Sequence, residues 1–154
     1  MRTNLAGLPS YFWVTSSTPK QPVQDDVAYT TSALRRDLLR VENAWEDCQS
    51  SRNRDAVYVY LSAVFNLVAW WEAENRAVAR ARKALRLQHL GTFEHEHPFA
   101  AIIRCTSDPT KVDKRTRSKW SRVLRYALEY KSDFEPLKEF VKRKGGINEC
   151  ASRF

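Results

Sequence analysis

Glycine is almost missing from this chain, and most of what the sequence excludes follows from such shortages. Four glycines in 154 residues are too few for the tight turns of an all-β fold. Cysteine is scarce as well. Cys48, Cys105 and Cys150 are odd in number, far apart and in no CxxC spacing, so they read as reduced core thiols of a cytoplasmic protein rather than a disulfide framework. No Gly-rich phosphate loop, nucleophile elbow or spaced metal-ligand set is present. Enzymatic activity, a cofactor and a metal are therefore not expected. The stretch Met1–Pro9 carries one positive charge and no apolar region of signal-peptide length. The longest uncharged run, residues 56–71, falls short of the roughly 20 residues a bilayer core needs and contains Ser62 and Asn66. It reads as buried core, and no membrane association is expected.

What is present favours helix. A hydrophobic fraction of 43% beside 29% charged residues fits one domain with one core. The stretch Asn53–Gln88 has neither Gly nor Pro. Its first half is apolar on every side, as in a helix walled in by others. Its second half is amphipathic, with Val78, Ala81 and Leu85 on one side and Arg76, Arg80 and Lys83 opposite. Val57, Leu61, Val64, Val68, Trp71, Asn75, Val78 and Leu85 keep close to a 3.5-residue repeat in which Asn75 would set register. A helix over 53–89 follows, with a break near Asn75 or Ala77 if it proves too long for the domain.

Ahead of it, Thr31 or Ser32 caps a helix over 31–50, whose Leu34, Leu38, Val41, Trp45 and Cys48 form a narrow seam. Residues 1–30 form an irregular arm with three prolines and one apolar knot around Tyr11, Phe12 and Trp13. Downstream, Glu94-His95-Glu96-His97-Pro98 reads as a solvated turn whose histidines titrate near neutrality; it lacks the ligand spacing of a zinc site. Pro98 opens a short buried helix to Cys105. Asp108-Pro109 would cap one over 109–131, Ser132-Asp133 another over 134–144, and Gly145 would end that before a last helix over 147–153. The fold class is all-α: a single-domain bundle of five to six helices over 31–154, with Leu38, Trp45, Leu61, Phe65, Val68, Trp71, Val123 and Phe140 in its core.

The charge is uneven. The chain carries +8, concentrated over Arg76–Leu90 and in the basic C-terminal half, 109–154. Lys111, Lys114, Arg115, Arg117, Lys119, Arg122 and Arg125 stand against Asp113 alone over residues 111–125. At 100° per residue the stripe Lys111, Lys114, Arg115, Arg122 and Arg125 lies opposite Val112, Trp120, Val123 and Leu124, with Arg117 and Lys119 on its flanks. Positive stripes on helices suit phosphate backbones, and a basic helix fits the major groove of duplex DNA. Arg76, Arg80, Lys83 and Arg86 would be a second contact surface. The expected function is non-enzymatic nucleic-acid binding, DNA in the first place. A helical adaptor or inhibitor that binds a protein, such as a nucleic-acid enzyme, through Tyr11, Phe12 and Trp13 is the alternative. Homo-oligomerisation through the 3.5-residue seam is compatible with both.

Overall fold

Every regular element is a helix in the computed structural model, which describes residues 29–154. Among the described residues there are seven helices and no strand: α1 Thr31–Ser50, α2 Ala56–Ala73, α3 Ala77–Leu87, α4 Pro98–Thr106, α5 Lys114–Tyr130, α6 Leu137–Arg143 and α7 Ile147–Arg153. The apolar knot at Tyr11, Phe12 and Trp13 lies outside the described residues.

The seventh helix arises because the expected helix over 53–89 is two. Asn75 takes a left-handed backbone (φ 58°). Its amide donates to the Glu72 carbonyl at 2.9 Å, and the Arg76 amide donates to the Trp71 carbonyl at 2.8 Å. This paired pattern terminates a helix while satisfying its last carbonyls. α3 ends in the same way at His89 (φ 56°), and α6 at Gly145 (φ 107°). A glycine-poor chain thus uses Asn and His for two of three left-handed caps. Asn tolerates this region best among non-glycine residues, because its short side chain can bond locally.

Two expected helix starts shift downstream, each for a local reason. Asp108 caps only a turn, accepting from the Thr110 amide at 2.9 Å and the Thr110 hydroxyl at 2.7 Å. Asp113 caps α5 by accepting from the Thr116 amide at 2.7 Å. The Ser132-Asp133 signal starts nothing. Pro136 disfavours helical geometry in the residue before it, so α6 begins only at Leu137 and Phe134 is left almost wholly exposed.

α2 is the centre, packing against α3, α4, α5 and α6. Of the described helices it alone is long and apolar enough to cross a membrane by length and composition, but Leu61, Val64, Val68 and Trp71 are fully buried by the helices around it. The eight residues expected in the core are all buried. α1 joins through rings. Trp45, Tyr60 and Trp120, from α1, α2 and α5, meet edge to face with centroids 5.1, 5.9 and 6.3 Å apart, the geometry that aromatic quadrupoles favour. Inside this cluster the Tyr60 hydroxyl lies 2.8 Å from the Thr106 hydroxyl, and burial raises its pKa well above that of an ordinary phenol. Cys105 and Cys150 are buried and Cys48 is half-buried; all three are free thiols.

Candidate nucleic-acid interface

The strongest basic signal lies at the start of α5. Asp113 satisfies one amide of the first turn and leaves Lys114, Arg115 and Ser118 exposed on the helix, with Lys111 exposed on the turn before it. None of the three cations forms an ion pair among the described residues. The same segment carries Val112 and Trp120 on its other side, both buried, so the helix docks by one face and shows cations on the other.

Further along α5 the stripe does other work. α7 folds back onto α5 and takes up the cations beneath it. Lys119 donates to the Asn148 side-chain oxygen at 2.8 Å, and Arg122 donates to the Ala151 carbonyl at 3.2 Å. The Arg125 guanidinium lies 4.6 Å from the centre of the Phe154 ring, a cation–π contact. Lys119, Arg122 and Arg125 are all half-buried. Arg117 is half-buried too, and its Nε is enclosed without a hydrogen-bond partner among the described residues. The seven-cation stripe therefore divides into an exposed N-terminal part and a part engaged with the chain's own last helix.

On α3 two expectations are overturned. Arg80 is not a surface cation: it is 5% exposed, pairs with Glu74 at 2.8 Å and lies over Trp70 at 5.4 Å. Val78, expected inside, is 52% exposed. Arg76 and Lys83 are half-buried, and Arg86 is exposed. Arg82, which helical spacing did not single out, is exposed as well, as are Arg35, Arg36, Arg52 and Arg54 on α1 and the turn after it. Those four lie in segments whose net charge is small, so counting by segment concealed them. α3 and α5 each pack on α4 but not on one another, so α4 separates the two basic surfaces.

The His-Glu turn is more structured than a solvated loop. Arg104 grips the Glu96 carboxylate with two bonds of 3.0 and 2.8 Å. His97 caps α4, its Nδ1 accepting from the Phe99 amide at 3.2 Å. Burial, with Arg125 as a second influence, lowers the His97 pKa to about 4, so this imidazole is neutral at pH 7. No group of three or more His, Cys, Asp and Glu side chains converges as a metal site among the described residues.

The chain matches no protein family, no curated protein and no solved structure. The functional reading therefore rests on the geometry alone.

Proposed function

We propose that this chain is a single-domain helical protein that binds nucleic acid without catalysis, with duplex DNA as its first ligand. The observation that carries the reading is the exposed group Lys111, Lys114 and Arg115 at the start of α5, none of them in an ion pair among the described residues, next to the Ser118 hydroxyl. Exposed cations not held in an ion pair reward a polyanion most, since each phosphate they neutralise releases a condensed counterion. Arg82 and Arg86 on α3 extend the positive field. These are phosphate contacts, which position a protein on the duplex and carry no sequence information. Three free thiols suit the reducing cytoplasm.

The test is the triple variant Lys111→Ala, Lys114→Ala, Arg115→Ala. These side chains are exposed and form no ion pair among the described residues, so the circular dichroism spectrum and melting temperature should match the parent. Affinity for duplex DNA of any sequence should fall. The slope of log K against log salt should flatten by about 0.9 for each phosphate that is no longer neutralised. A folded variant with parental affinity and parental slope refutes the reading.

A further inference from the structure

α2 is uncharged over most of its length, yet it is not walled in all round. The seam legible in the sequence, Leu61, Val64, Val68 and Trp71, is buried. The opposite face carries Val59, Ser62, Ala63, Asn66, Ala69, Trp70 and Ala73, a stripe four turns long with no charge. Val59 is 57% and Trp70 44% exposed. An open groove of about 980 Å³ runs beside the stripe, with Val41, Ala44 and Cys48 of α1 on one wall and Val59, Ala63 and Asn66 of α2 on the other, and with the charged Asp37, Arg40, Asp47, Asp55 and Lys138 also in its lining.

We propose that this stripe is a homodimer interface in which α2 pairs antiparallel with α2 of a second copy about a two-fold axis at Asn66. Three observations select this occupant. Asn66 is the midpoint of Val59–Ala73, and a carboxamide both donates and accepts, so it can pair with its own copy as an isologous axis requires. Sizes alternate about that midpoint. Antiparallel pairing sets Trp70 of one copy opposite Ser62 of the other, Val59 opposite Ala73 and Ala63 opposite Ala69, so large side chains meet small ones. Parallel pairing would set Trp70 against Trp70 and leave Ala63 facing Ala63. Charge provides the third. Copies of a chain carrying +8 repel through their basic surfaces, but this stripe carries no charge of its own, and the groove beside it is lined by both signs, Asp37, Asp47 and Asp55 with Arg40 and Lys138. A polar Asn within an apolar helical seam also sets register and copy number.

The test uses the full chain. Sedimentation equilibrium across micromolar to millimolar concentrations should give a reversible dimer. Asn66→Lys, at an exposed position, should leave the helical spectrum unchanged and weaken the dimer by roughly tenfold or more, since two ammonium groups about 4 Å apart repel on that scale. Orientation is read by oxidative cross-linking in a Cys48→Ser background, because Cys48 lines the groove. Asn66→Cys should form a covalent dimer and Val59→Cys should not, whereas Val59→Cys mixed with Ala73→Cys should. A monomeric mass at every concentration overturns the proposal and leaves the groove to another occupant. So does a dimer untouched by Asn66→Lys, or one in which Val59→Cys links to itself. DNA affinity plays no part in these readouts, so they stand or fall apart from the nucleic-acid reading.

Discussion

The hydroxyl pair buried between α2 and α4 gives the sharpest test of the core, because the direction of its hydrogen bond can be deduced. Thr106 Oγ1 lies 2.7 Å from the Ile102 carbonyl, which only accepts, so the single hydroxyl hydrogen of Thr106 is committed there. The Tyr60 hydroxyl at 2.8 Å must then be the donor and Thr106 the acceptor. Tyr60→Phe removes a donor and leaves an oxygen that still bonds through its own hydrogen, at a cost of about 1 kcal/mol. Thr106→Val removes the acceptor and strands a buried O–H. The Ile103 carbonyl is 3.5 Å away, and the Ser107 hydroxyl is itself bonded to that carbonyl at 2.6 Å. That stranded donor should cost about 1–3 kcal/mol. The double variant has neither group and should resemble Tyr60→Phe alone. Urea denaturation at one protein concentration provides the measure. With a slope of about 2 kcal/mol per molar, a loss of about 2 kcal/mol lowers the midpoint by about 1 M. A Thr106→Val cost at or below that of Tyr60→Phe would refute this proton assignment and mean that Ser107 or Ile103 receives the phenol's hydrogen.

Other expectations are simpler. At the left-handed α2 terminus, Asn75→Gly should be neutral or slightly stabilising, while Asn75→Val should cost roughly 1–3 kcal/mol in the same urea titration; equal effects would mean that backbone conformation does not decide the residue there. His97 has a folded pKa of about 4 against an ordinary value of 6.5, so between those pH values the unfolded chain binds more protons. Stability should therefore rise with pH across that window, and His97→Asn, which keeps a capping acceptor but cannot titrate, should flatten the rise. An unchanged pH profile in that variant would assign the dependence to other groups.

The core was legible because burial follows periodicity: Leu34, Leu38, Val41 and Trp45 on α1 and Leu61, Val64, Val68 and Trp71 on α2 are inside, as their spacing requires. What the pattern hid lies after a break or across the fold. A helical wheel drawn straight through Asn75 points Val78 inward and Arg80 outward. One left-handed residue changes the helix direction, and α3 instead buries Ala77, Arg80, Ala81, Ala84 and Leu85. The cations of α5 illustrate the other limit. Arg122 and Arg125 do lie away from Val123 and Leu124, but α7 returns over that face and engages them. No local periodicity encodes a contact made by residues some thirty positions later.

The position of α2 has a consequence for how the chain is made. Its most apolar segment is enclosed partly by α6, and the Asp55 carboxylate at its start is held by Lys138 at 3.3 Å and Lys142 at 2.7 Å. These partners leave the ribosome about seventy residues after the end of α2, several seconds later at about 5–20 residues per second. During that interval the apolar helix is in solution without its far wall. The nascent chain thus presents a transient apolar face of the kind that chaperones recognise, and the native core closes only when α6 arrives.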